Sequence, residues 1–294
     1  MARSLEFIAD EKYDGSTVLR FLLDKNVSQR LLRRLKLEEK GITANGVHIR
    51  TIDRLKSGDK VVLNLKEDIK VPVPTIGIIP EIIYEDNDIL VFNKPPFMAV
   101  HQTRGHYTDT LSNYASYYME QKNERGAFRA VNRLDKNTSG VVIDAKHQYA
   151  ANNISKNMQK KYIAVVSGEI KEDGKIVAPI KRKQASIIER EVAENGAYSE
   201  TRYKVIMGNK DITFLEIELI TGRTHQIRVH FAYIGHAIIG DTLYGTESPL
   251  INRQALHCKE IIINHPITNK KISLKAKMPG DIKKIANFSG FLDI

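Results

Sequence analysis

Apolar and polar positions divide the chain into a short front stretch of mixed periods and a long back stretch of mostly short strands. Near the front, Val18, Phe21 and Leu22 fall at helical spacing behind Ser16 and Thr17, either of which can cap a helix. A second helix is predicted to open at Ser28 and to close before Gly41. On it Leu31, Leu32 and Leu35 make one face, and Arg30, Arg33 and Arg34 another. Ile42-Thr43-Ala44 and Val47-His48-Ile49 then flank Asn45-Gly46, a strong signal for a two-residue hairpin. Gly58-Asp59 leads into one more strand, Lys60 to Leu65. Beyond Glu81, Ile89-Leu90-Val91-Phe92 is a buried-type strand, and Thr201 to Met207 with Ile212 to Ile220 is a hairpin. Ala150 to Met158 and Thr224 to Ile234 are the predicted helices of this part. Strands with peripheral helices imply an α+β domain on a largely antiparallel sheet.

Residues 66–80 separate the two patterns and hold three of the nine prolines, the composition of a connector. The expected layout is therefore a small domain over residues 1–68, a linker over 69–80 and a large domain over 81–294. A length of 294 residues suits that division. No run reaches the roughly eighteen apolar residues of a membrane helix. The opening Met1-Ala2-Arg3-Ser4-Leu5-Glu6 lacks a signal-peptide core, and one cysteine, Cys258, cannot form an internal disulfide. We expect a cytoplasmic, monomeric protein with no membrane partner.

Charge narrows the partner. The net charge is +10, and residues 1–70 hold 15 Lys/Arg against 11 Asp/Glu. Basic side chains displace counterions from phosphates, so a polyanion is favoured. Taken alone, the arginine face of the second helix reads most simply as a solvated surface.

The sharpest local feature is Asn132-Arg133-Leu134-Asp135-Lys136-Asn137-Thr138-Ser139-Gly140. Val131 leads out of one expected short strand and Val141-Val142-Ile143 begins the next. A polar loop held between apolar strands is well placed to carry chemistry. On these residues alone two readings stand side by side: a site, or a turn in which Asp135 caps backbone amides.

Arg133-Leu134-Asp135 followed by Thr138-Ser139-Gly140 resembles the signature of the RluA/RluD-type RNA pseudouridine synthases. Further blocks agree in order: Glu85-Asp86 through Lys94-Pro95 to His101, Lys161-Tyr162 through Gly168, and Thr221-Gly222-Arg223-Thr224-His225-Gln226-Ile227-Arg228-Val229-His230 with Gly240-Asp241. Leu256-His257 and His265-Pro266 close the series, so the likeness spans about residues 81–279. The front stretch resembles an S4-like RNA-binding domain over roughly residues 15–65. Asn132 departs from the histidine that the family most often has before Arg-Leu-Asp.

The resemblance implies isomerisation of uridine to pseudouridine in structured RNA, with large-subunit ribosomal RNA the favoured substrate and transfer RNA the alternative. It assigns the reacting carboxylate to Asp135, the guanidinium that holds it ionised to Arg228, and the aromatic face against uracil to Tyr162. It implies RNA contacts from Arg133, Arg30, Arg33, Arg34, Lys36 and, as a reserve to Arg228, Arg223. A flipped uridine would leave a gap that Arg133 can occupy. The reaction needs no redox change, and the chain carries neither a phosphate-binding glycine loop nor metal-ligand spacing, so no cofactor or metal is expected. Three other classes compete. A metal hydrolase would need histidines on one face, but His225 and His230 are five apart, and His257 and His265 lack a companion at ligand spacing. A glycosidase would need a second carboxylate in the matched blocks. A silent RNA-binding protein would show no dependence on Asp135. Lys181-Arg182-Lys183 and Glu189-Arg190-Glu191 read as a solvated loop.

Overall fold

In the computed structural model of the chain, residues 3–65, 71–75, 80–124 and 126–288 are described. The front unit comprises β1 (Arg3–Ile8), α1 (Val18–Asp24), α2 (Gln29–Leu35), β2 (Ile42–Ala44), β3 (Val47–His48) and β4 (Lys60–Leu65), with strand order β1-β4-β2-β3. Both helices begin on hydroxyl caps: Thr17 accepts from the Arg20 amide and Ser28 from the Leu31 amide. Asn45 (φ 50°) and Gly46 (φ 83°) take the left-handed values that the hairpin demands. α2 stops at Leu35, sooner than the expected close before Gly41. The chain turns back there so tightly that a Cβ on Gly41 would collide with the Leu35 carbonyl. β1 is an addition to the expected elements, and it pairs with β4 so that Leu5 faces Leu63.

The back unit runs β5 (Glu81–Glu85), β6 (Ile89–Lys94), α3 (Leu111–Gln121), β7 (Ser139–Ala145), α4 (Gln148–Ile154) and β8 (Gln159–Ser167). It continues through β9 (Gly174–Val177), β10 (Ile180–Arg182), β11 (Arg190–Val192), β12 (Glu200–Gly208), β13 (Ile212–Leu219) and α5 (Gln226–Tyr233). β14 (Leu256–Asn264), β15 (Lys271–Lys275) and α6 (Gly280–Phe288) follow. Its sheet has the order β5-β6-β7-β14-β8-β13-β12-β9, with β15 on β14. Every pairing in it is antiparallel except β7 with β14. The expected α+β architecture on a largely antiparallel sheet is thus present.

Two expected boundaries move. The helix expected over 150–158 is α4, which stands on the His147 side chain as cap and ends at Ile154, because β8 starts at Gln159. No strand runs into Val131; instead the Asn132 side chain continues the ladder, donating to the Val141 carbonyl at 2.8 Å and accepting from the Ile143 amide at 2.9 Å.

The two units touch. Tyr149 on α4 is buried in the front core, its ring lies 5.9 Å from that of Phe7, and its hydroxyl donates to the Lys25 carbonyl. Arg3 donates to Asp88 at 2.7 Å. Of the expected linker, residues 71–75 and 80 are described, while 69–70 and 76–79 lie outside the described residues. Residues 1–2, 66–68, 125 and 289–294 of the expected domains also lie outside them. Among the described residues no helix is long and apolar enough to cross a membrane.

Candidate active site

The loop before β7 is held by its backbone. Lys94, fully buried at the end of β6, donates to the carbonyls of Pro95, Met98 and Lys136 at 2.8, 2.8 and 3.1 Å. Buried Arg253 donates to the Asn137 carbonyl at 3.0 Å and is itself held by both oxygens of Asp281. Gln254 reaches the Thr138 hydroxyl, and the Thr138 amide closes a turn on the Asp135 carbonyl. Gly140 (φ 120°) lies so close to β14 that any Cβ would strike the Cys258 carbonyl. These contacts fix Asp135 while its carboxylate keeps 29% of its side-chain exposure.

Sheet register supplies the neighbours. Gly140 pairs with Cys258, and Cys258 pairs with Tyr162, so the three form one row across β7, β14 and β8. Tyr162 is buried against the loop that carries Asp135. Burial pushes its hydroxyl well above the usual tyrosine range, with the Cys258 thiol and the Asp135 carboxylate adding to the effect. Tyr162 therefore holds its proton: it can stack or donate, and it is not a phenolate base.

Arg228, the third residue of α5, donates from Nη1 to Asp135 Oδ2 at 3.0 Å. Its Nε and Nη2 form a fork on Asp241, both at 2.7 Å. Burial opposes the charge on Arg228, but the two carboxylates outweigh it and raise the guanidinium above its ordinary value. The Arg228 guanidinium also lies 5.1 Å from the centre of the Tyr244 ring. A cleft of about 300 Å³ opens above this group, lined by Asp135, Tyr162, Arg133, Lys160, Arg223 and His225. A fixed carboxylate, a protonated phenol and a cationic rim in one cleft suit an anionic polymer that presents one flat ring.

Comparison with known proteins agrees with that chemistry. The family profile described as RNA pseudouridylate synthase matches residues 88–233. A Bacillus subtilis protein named "Uncharacterized RNA pseudouridine synthase YjbO" is 36% identical over 281 residues, covering 92% of this chain and 98% of its own. The chain belongs to the RNA pseudouridine synthase family. The "Ribosomal large subunit pseudouridine synthase D" of Pseudomonas aeruginosa is 32% identical to this synthase over 259 residues, covering 82% of this chain and 81% of its own. Among solved structures, "Human RNA Pseudouridylate Synthase Domain Containing 1" shares the fold, with a TM-score of 0.58 at 24% identity over 69% of this chain and 86% of that one.

The residues expected to bind RNA fall in three places. Arg133 and Arg223 are exposed on the cleft of the synthase, and Arg223 donates to the Tyr198 carbonyl at 3.2 Å. Arg30, Arg33 and Lys36 are exposed on the front unit. Arg34 departs from the shared basic face: it is half-buried, with Nε and Nη2 enclosed and without a hydrogen-bond partner among the described residues. Asn132 is only 4% exposed and its amide is spent on the β7 backbone, so it is not on the RNA-facing surface.

Several supporting residues had no distinct signal in the sequence. Lys94 and Asp241 lie inside the matched blocks, where nothing in the sequence gives them a role, and Arg253 and Tyr244 lie outside those blocks. His265 proves to have companions after all, since folding brings Asp86 and Asp88 within ligand reach of it. Those carboxylates are already engaged by Arg3, by His147 and by the amides of Asp88 and Ile89. The group serves as a clasp between the units. His230 is buried between Thr201 and the Ala178 carbonyl, facing away from His225 as their spacing requires. The expected loop over Lys181-Arg182-Lys183 and Glu189-Arg190-Glu191 is instead a hairpin, in which Lys181 pairs with Glu191 and Arg182 with Arg190 across β10 and β11 and Lys183 is bonded to Glu189 at 2.6 Å beyond them.

Lys94 makes a pH prediction. Burial pushes its ammonium down to about 7, Arg253 adds to the effect and Asp135 opposes it. Its folded value lies below the unfolded one, so between about pH 7 and about pH 10 the unfolded chain binds the extra proton. Stability contributed at this position therefore rises with pH across that window. Thermal melts should show wild type gaining on Lys94→Met as pH is raised from about 7 to about 10. A difference that stays flat would contradict the burial effect.

Proposed function

We propose that this synthase isomerises uridine in large-subunit ribosomal RNA, with Asp135 as the reacting carboxylate. The single observation that carries the assignment of Asp135 is its grip by Arg228, itself forked on buried Asp241, at the floor of the basic cleft. In the reaction the C1′–N1 bond breaks, the uracil turns, C5 bonds to C1′, the C5 proton leaves to solvent and N1 gains a proton. Asp135 supports the step at the sugar or the base. Arg228 orients one of its oxygens. Tyr162 packs on the ring and donates from its hydroxyl. Arg133 occupies the place of the flipped nucleotide. Residues 1–68 act as an S4-like RNA-binding domain through Arg30, Arg33 and Lys36, with residues 69–80 the connector and 81–294 the catalytic domain. Arg34 contributes less, since its guanidinium is partly enclosed. Relatives named as acting on the large ribosomal subunit support the choice of substrate.

The test is modification mapping in cells lacking the protein. One or more pseudouridines should vanish from large-subunit ribosomal RNA and return with the wild-type chain but not with Asp135→Asn. Loss confined to transfer RNA would overturn the substrate. With purified protein, Arg30→Ala and Arg33→Ala should each weaken RNA binding at low salt. Each should also reduce the slope of log affinity against log salt by about 0.7 to 0.9. Unchanged slopes would remove the front unit from the RNA interface.

A further inference from the structure

His225 and Tyr244 are left over once Asp135, Arg228 and Tyr162 have their roles. His225 is the residue before α5 and adopts φ 57°, a left-handed conformation that is unfavourable for a residue with a side chain. Strain of this kind persists where the surroundings impose it. Here the conformation swings the imidazole over the loop, with Nε2 3.6 Å from Asp135 Oδ1, the carboxylate oxygen that Arg228 does not hold. On its other side, Nδ1 lies 2.8 Å from the Tyr244 hydroxyl.

Tyr244 biases which nitrogen carries the proton. Its oxygen already accepts the Arg190 amide hydrogen at 2.8 Å, which favours donation of its own hydrogen to His225 Nδ1 over acceptance of a second one. Nδ1 is then an acceptor, and the ring hydrogen of the neutral imidazole sits on Nε2, facing Asp135. We propose that Tyr244 fixes this tautomer and that His225 is a positioning residue, presenting an uncharged N–H donor to the second oxygen of Asp135. The idea rests on Asp135 being the reacting carboxylate. A gap of 3.6 Å is longer than a hydrogen bond, and contacts of this type shorten when substrate closes the cleft. Arg228 on one oxygen and His225 on the other would set both the direction and the rotation of the carboxylate.

Around His225 stand Asp135 from the loop, Arg228 from α5, Arg190 from β11, and Asp241 and Tyr244 from the segment between α5 and β14. Burial holds the imidazole below its ordinary value, with Asp135 opposing and the two arginines adding to the effect. Neutral His225 adds no second positive charge beside the carboxylate.

The test compares His225→Gln, His225→Leu, Tyr244→Phe and the double variant Tyr244→Phe/His225→Gln in single-turnover tritium release, with Asp135→Asn alongside. Gln can place an amide donor near the imidazole Nε2 position, so it should keep more activity than Leu. We expect His225→Leu and Tyr244→Phe to lower the chemical rate on the order of tenfold to a hundredfold, with RNA affinity changed less than about twofold. Tyr244→Phe frees Nδ1 to take up a proton, so its rate should fall at acid pH sooner than that of wild type. In the Gln background, Tyr244→Phe should do little more, because the tautomer no longer exists to be fixed. Additive losses, or an unchanged pH profile in Tyr244→Phe, would show a merely structural role and overturn the inference. Imidazole nitrogen shifts in wild type give a readout that needs no variant: Nε2 protonated and Nδ1 bare is expected, and the reverse refutes it. Should Asp135→Asn turn over like wild type, the reading of Asp135 falls, and the inference falls with it. Inactive Asp135→Asn with fully active His225→Leu sinks only the role of His225.

Discussion

Asp135→Asn should release no tritium above background from RNA carrying tritium at uridine C5, while melting within a few degrees of wild type. The two halves of the result have separate causes. Asparagine keeps the shape of the side chain and an oxygen acceptor for Arg228 Nη1, now 3.0 Å from Asp135 Oδ2. It also leaves untouched the backbone grips of Lys94 and Arg253 on the carbonyls of Lys136 and Asn137. The Asp135 side chain is 29% exposed, so its ion pair with Arg228 is partly screened and contributes modestly to stability. The amide, however, lacks the negative charge that any carboxylate role needs, whether at the sugar or at the ring. A fall of at least about a thousandfold, roughly 4 kcal/mol of barrier, is expected. Single-turnover assays and calorimetric melts on the same preparation read both halves. Retained turnover would move the chemistry to another residue. Inactivity accompanied by a collapsed melting temperature would mean that the loop had been lost instead.

The sequence made some of this visible and hid the rest for physical reasons. Asn45-Gly46 predicts its hairpin because a type I′ turn needs left-handed backbone at two adjacent residues, and the chemistry of those two residues is local. The grouping of Asp135, Tyr162 and Arg228 could be anticipated from ordered blocks, but not their distances, which depend on the row Gly140, Cys258, Tyr162 across three strands. Arg253 escaped notice because its partner carbonyl on Asn137 is 116 residues away, and carbonyls carry no residue signature. Asn132 was legible only as a departure. Its side chain pairs with β7 as a backbone would, a substitution that leaves no periodic trace. β1 does carry a period-2 trace, with Leu5 and Phe7 inward and Ser4 and Glu6 outward, but only two inward apolar residues make it too short to stand out. Arg34 shows the opposite error, since helical spacing places it with Arg33 although burial then separates the two.

Arg228→Met should be the most damaging single change to the site, because it removes one cation from two carboxylates of unequal burial. Asp241 is 1% exposed, and besides the Arg228 fork its Oδ1 accepts the backbone amides of Leu243 and Tyr244. Taking the guanidinium away leaves a buried charge without its counterion, a loss of about 3 to 5 kcal/mol in similar buried pairs. Denaturant titration should show that loss, and tritium release should be abolished with it. Arg228→Lys separates folding from chemistry. An ammonium keeps the positive charge near Asp241 and recovers part of the stability. It lacks the planar fork that serves Asp241 through Nε and Nη2 while Nη1 reaches Asp135. The lysine variant should therefore be more stable than the methionine variant, yet slower than wild type by on the order of a hundredfold. If lysine restored the full rate, charge alone would suffice and the fork would have no part in aiming Asp135. If methionine cost no stability, Asp241 would have to be protonated or solvated in its place. The guanidinium thus has two tasks that one residue performs by geometry: its inner edge neutralises the carboxylate that the fold buries, and its outer nitrogen aims the carboxylate that meets the RNA.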